Sequence, residues 1–182
     1  RDRLFLSDPP GDQAVNLAAV KVNTTNDYPQ FTVTLTEALR VDALAISGTD
    51  GGDGSAVILD VNAGALTDMA GVAVAEDYGN EVFETDDETP PEVTAVSLDY
   101  NDDVRELVGD MSETIKVSTV DAAGFDAADT QTAAAVNLVS AAVNRNANAL
   151  KFTMTLTEVD RVAALALSGV PGGDTEAVEL AY

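Results

Sequence analysis

Two stretches of this chain nearly coincide. Phe31–Gly48 reads FTVTLTEALRVDALAISG, and Phe152–Gly169 reads FTMTLTEVDRVAALALSG. They stand 121 residues apart. The spacing holds upstream without a gap, where Ala14-Val15-Asn16-Leu17 matches Ala135-Val136-Asn137-Leu138. It holds downstream too, where Gly51-Gly52-Asp53 matches Gly172-Gly173-Asp174. Self-similarity at a fixed period is the mark of one structural unit used in series. Any fold proposed for one stretch must therefore serve for the other.

The period also organises the chain. Its 182 residues hold roughly one and a half periods. The expected units are 1–89 and 90–182, the first lacking its opening strands and the second its closing strands. Thr89-Pro90-Pro91-Glu92-Val93 opens the second unit, and the matching segment of the first would precede Arg1. Gly64–Gly71 and Gly79-Asn80 close the first, and their counterparts would follow Tyr182. Either the chain is a window on a longer array, or neighbouring subunits supply the strands. Whole domains repeated in tandem are the habit of fibres, sheaths and adhesins more than of enzymes.

Strand signals dominate the local pattern. Phe31-Thr32-Val33-Thr34-Leu35-Thr36 alternates apolar residues with threonine, the period of a half-buried strand. Thr36–Val41 and Thr157–Val162 read as short helical turns opened by a capping threonine. Ala43–Ser47 and Ala164–Ser168 read as buried strands, each followed by a glycine-rich turn. Val15–Val22, Ala56–Val61, Val93–Leu98, Leu107–Ser112, Ala133–Val139 and Ala177–Leu180 read as further strands. Glu81–Pro91 reads as a stiff acidic linker ended by two prolines. Many short strands with turns between them predict an all-β fold, an antiparallel β-sandwich in each unit.

Charge and composition narrow the function. The net charge is −23, with 32 acidic and 9 basic residues. Phosphate backbones require clustered Lys and Arg, so nucleic acid is not an expected partner. No apolar run of about eighteen residues is present, so no helical membrane insertion is expected. With neither cysteine nor histidine, disulfides, Cys/His zinc sites and a Ser-His-Asp triad are excluded. Paired carboxylates abound, but the aromatic platforms of sugar hydrolases do not. There is no Trp and there are four Tyr. No catalytic residue is expected, and the chain reads as a non-enzyme.

Three motifs resemble the Ig-like repeats of prokaryotic surface-layer and giant cell-surface proteins. The entry Asp87-Glu88-Thr89-Pro90-Pro91-Glu92-Val93 is one. Met111-Ser112-Glu113-Thr114-Ile115, placed after the second strand in that family, is another. The third is the exit, Gly64-Ala65-Leu66-Thr67-Asp68-Met69-Ala70-Gly71 with Gly79-Asn80. The resemblance implies tandem Ig-like β-sandwich units, an extracellular location and a structural or adhesive role. It implies no catalytic residues.

Acidity raises the question of a hard cation, which takes several oxygen ligands. Asp50 and Asp53 flank a Gly-rich turn. Glu84, Asp86, Asp87 and Glu88 crowd the junction, with Asp102 and Asp103 as residues that could approach them. Ca2+ is the cofactor this pattern would take; a hairpin turn and a solvated linker are the plainer alternatives. Asn23-Thr24-Thr25 is an acceptor sequon for a glycan at Asn23. Glu37/Arg40 and Glu158/Arg161 are spaced to form ion pairs on a turn. The expected role is a surface layer, sheath or filament, with self-association of neighbouring subunits or repeats. Strand complementation between subunits is one route, since an uncovered sheet edge invites another strand. A ligand-binding adhesin stalk and a spacer of a secreted enzyme are the alternatives.

Overall fold

Threonine alternating with apolar residues builds strands here as the pattern predicts. The computed structural model describes residues 3–9, 13–23, 30–129, 134–145, 147–174 and 177–182. Antiparallel sheets carry the fold, with two α-helices among the described residues. The chain divides into unit 1, Arg1–Thr89, and unit 2, Pro90–Tyr182.

Unit 1 contains β1 (Leu4–Ser7), β2 (Ala14–Asn16), β3 (Lys21–Asn23), β4 (Thr32–Thr34), α1 (Glu37–Ala45), β5 (Ile58–Val61) and β6 (Asp77–Glu81). One sheet has the order β2-β1-β5-β6, and β3 pairs with β4 in a second. Unit 2 contains β7 (Val93–Leu98), β8 (Glu106–Ile115), β9 (Asp126–Asp129), β10 (Ala135–Asn137), β11 (Ala142–Val143), β12 (Ala149–Thr155), α2 (Glu158–Ala166) and β13 (Val178–Ala181). Its sheets have the orders β10-β9-β13 and β11-β12-β8-β7.

Strand partners recur at the sequence spacing. Leu6 faces Val15 and Leu59 in unit 1; Ala127 faces Val136 and Leu180 in unit 2. Val22 faces Val33, and Val143 faces Met154. In each case the second set lies 121 residues after the first. The shared pattern is thus one of register as well as of residue type.

The helices correct one expectation. Ala43–Ala45 and Ala164–Ala166 are the last turns of α1 and α2, not the start of buried strands. Ala, Leu, Glu and Arg are good helix formers, and Asp160 and Ala164, four apart on one face, are the buried residues of α2. The alternation of Ala with Leu or Ile there is a short apolar run, which periodicity alone does not assign. The caps are as expected. Thr36 Oγ1 accepts from the Leu39 amide at 3.3 Å, and Thr157 Oγ1 from the Asp160 amide at 3.2 Å. Val15–Val22 is not one strand either. Asn16 Oδ1 accepts from Ala18 N and caps a 3₁₀ turn at Leu17–Ala19 that separates β2 from β3. Met111–Ile115 lies within β8 rather than after it.

The core of unit 2 draws on both its sheets. Leu107, Phe152, Met154 and Leu156 are sealed together with Ala127, Leu138 and Ala164. In unit 1 the buried cluster is Val15, Ile46 and Val57, with Leu6, Leu39 and Val82 packed on it. The difference has a plain cause. In unit 2, β8 and β7 add to β12, whereas among the described residues of unit 1 β4 pairs with β3 alone. Phe152 is 2% exposed and its counterpart Phe31 is 39% exposed.

Glu81–Pro91 is not a free linker throughout. Glu81 closes β6, Val82 packs on the unit 1 core, and Glu84 and Asp87 bond to unit 1 groups.

Candidate functional site

An apolar groove opens in each unit, and the two share positions. In unit 1 a groove of about 320 Å³ is lined by Leu6, Ser47, Thr49 and Val57. In unit 2 a groove of about 330 Å³ is lined by their counterparts Ala127, Ser168, Val170 and Val178. The remaining walls differ. Unit 1 closes its groove with Val82, Glu84, Thr85 and Asp87, the segment after β6. Unit 2 closes its groove with Val96, Leu98, Tyr100 and Leu107, from β7, β8 and the turn between them. Among the described residues, each groove therefore has a wall that does not line the other.

The wall in unit 1 is held by backbone donors. Glu84 Oε2 accepts from Gly48 N at 3.3 Å and from Val57 N at 3.1 Å. Asp87 Oδ2 pairs with Arg40 Nη1 at 3.0 Å. Arg40 also grips Glu37 through two bonds of 2.8 Å. In unit 2, Arg161 grips Glu158 in the same way, at 2.8 and 2.6 Å. Its third direction differs: Nη1 donates to Tyr100 O at 3.0 Å, and Asp102 lies 3.5 Å away. Both expected ion pairs are present. The hydrogen bonds from Arg161 hold the Glu158 carboxyl down at about 2. Burial raises the Tyr100 phenol above its usual value, opposed by a hydrogen bond with Ser168.

The carboxylates singled out from sequence are dispersed in these roles. Asp50 sits in the turn after α1, and Asp53 Oδ1 accepts from Ser55 N at 2.8 Å. Asp87 Oδ1 accepts from Thr89 N at 3.1 Å. Asp86, Glu88 and Asp103 are exposed, and Asp102 faces Arg161. Among the described residues no three acidic side chains come together as a metal site. The glycines of the Asp50–Asp53 turn answer to backbone geometry: Gly51 has φ +97°, and a Cβ on Gly52 would strike the Ser47 carbonyl. Gly172 and Gly173 repeat both features, with φ +107° at Gly172 and the Ser168 carbonyl beside Gly173. The side chains of the sequon at Asn23 lie outside the described residues.

The amides that receive Glu84 were not legible in advance. Backbone donors carry no residue-type signature; the one signal was the repeated Ser-Gly of Ser47-Gly48 and Ser168-Gly169. Comparison of the chain with protein-family models, curated proteins and solved structures returns no match.

Proposed function

We propose that the chain is a structural module of an extracellular assembly, two tandem Ig-like β-sandwich units serving in a surface layer, sheath or filament. The observation that supports this reading is the repeat itself: strand partners recur in the same register 121 residues apart in the two units. Units repeated in series suit self-associating layers and fibres, and head-to-tail contacts between such units propagate into open filaments. The role is non-catalytic, and the partners are neighbouring subunits or repeats. A net charge of −23 suits a solvated surface facing salt.

Immunogold electron microscopy of the producing cells, with an antibody raised against this chain, tests the reading. Gold on an ordered outer layer or fibre is the expected result. Repeating the labelling after chelator treatment reads whether calcium braces that layer. Gold confined to the cell interior would sink the proposal.

A further inference from the structure

Cysteine is absent, so the sulfur of this chain sits in its three methionines. A hydroperoxide oxidises a thioether to the sulfoxide, which turns a flexible apolar side chain into a polar one. The oxidant has to reach the sulfur, and the fold separates the three residues widely. Met154 is 0% exposed, sealed in unit 2 with Leu107 and Phe152. Met111 is partly buried against the same core. Met69, in unit 1, is 81% exposed.

The backbone around Met69 puts it there. Thr67 bridges Ala73, Val74 N donates to Leu66 O at 2.9 Å, and Asp68 N donates to Val72 O at 2.9 Å. These contacts make a hairpin whose turn is Asp68-Met69-Ala70-Gly71, closed by Gly71 N on Asp68 O at 3.0 Å. Aspartate at the first position and glycine at the last suit such a turn. Asp68 Oδ1 also accepts from the amides of Ala70 and Val72, at 2.9 and 2.8 Å. Met69 is the first of the two central residues, and its side chain is turned to solvent. Leu66 and Val72 are exposed on the same hairpin. The turn is held by backbone groups and by the Asp68 carboxylate, so the thioether is free to change.

We propose that Met69 is an oxidative modification site: a hydroperoxide converts it to the sulfoxide on the folded chain. The sulfur lone pair takes one oxygen of the peroxide as the O–O bond breaks. Sulfur is oxidised and the peroxide reduced; with hydrogen peroxide the second oxygen leaves as water. The product sets a strong acceptor among the exposed apolar side chains of the hairpin and leaves its hydrogen bonds in place. Methionine sulfoxide reductases reverse the change. The same oxidation at Met154 would bury a polar group among apolar ones and loosen the core of unit 2.

The test treats the full chain with hydrogen peroxide and follows oxygen uptake peptide by peptide by mass spectrometry. Met69 should react at about the rate of a free methionine derivative run alongside. Met154 should react on the order of tenfold more slowly or less, because access to it requires the core to open. In urea the rates should converge. The chain oxidised at Met69 alone should keep its circular dichroism spectrum and its urea midpoint. Its retention on a hydrophobic interaction column should fall, and Met69→Leu should lose that response to peroxide. Equal rates at Met69 and Met154 in the folded chain overturn the proposal. So does a rate difference that persists in urea, which would trace selectivity to neighbouring residues rather than to the fold. Unfolding of unit 1 on oxidation of Met69 overturns it as well, as does a fall in retention that Met69→Leu leaves intact.

Discussion

Phe31 and Phe152 occupy the same place in the repeat, and truncating each to alanine should have very different effects. Phe152 is 2% exposed, and its ring lies 5.2 Å from that of Phe125. It also covers Gly109, its cross-strand partner on β8. An aromatic ring buries about 150–250 Å², and Phe→Ala in a closed core costs about 3–5 kcal/mol with the cavity included. Phe31 is 39% exposed. About three-fifths of the transfer term applies to it, or roughly 1–2 kcal/mol, and an open site leaves no cavity. The difference is about 2 kcal/mol, roughly thirtyfold in an opening equilibrium. Native-state hydrogen exchange read by mass spectrometry separates the units. Phe152→Ala should speed exchange in peptides spanning β8 and β12. Phe31→Ala should speed exchange in β3 and β4 by a factor roughly thirtyfold smaller. Equal effects would refute the argument that β7 and β8 seal the core of unit 2 in a way unit 1 lacks.

Gly52→Ala and Gly173→Ala should each destabilise their own unit by about 1–3 kcal/mol, because the added Cβ meets a carbonyl that cannot move aside; urea unfolding followed by circular dichroism checks this, and an unchanged midpoint would contradict it. Thr157→Ala should cost about 1 kcal/mol by removing the cap of α2. The cap is reciprocal, since Thr157 Oγ1 also donates to Asp160 Oδ2 at 2.7 Å, so Thr157→Ser should retain most of the stability in the same unfolding assay. Carbon-detected NMR titration should place the Glu158 midpoint at about 2 and return it toward 4.5 in Arg161→Gln. Because folding lowers this pKa, the stabilisation is complete above 4.5 and is lost as pH falls through about 2. A midpoint that Arg161→Gln does not move would assign the shift to another cause.

Much of the architecture was legible in the residues themselves. Threonine alternating with apolar side chains marks β4 and β12, and the capping threonines mark the starts of α1 and α2. These are local signals, set by φ/ψ preference and by hydrogen bonds a few residues long. The end of each helix was misread because Ala-Leu-Ala is short and apolar in either conformation. The acidic stretch after β6 was misread for a different reason. Its composition says only that water suits it, whereas Glu84 and Asp87 are placed by amides and a guanidinium tens of residues away.

The 121-residue period, the all-β class and the absence of cysteine and histidine chemistry were determined by the sequence alone, since each is a property of residue type and order. Which side of each repeated strand is covered was decided only in the tertiary structure. Phe31 and Phe152 belong to the same motif, yet one stands just before β4 and is exposed, and the other pairs with Gly109 of β8 and is buried. Burial depends on what pairs with an edge, and that pairing is a contact between segments distant in the chain, which no local pattern encodes.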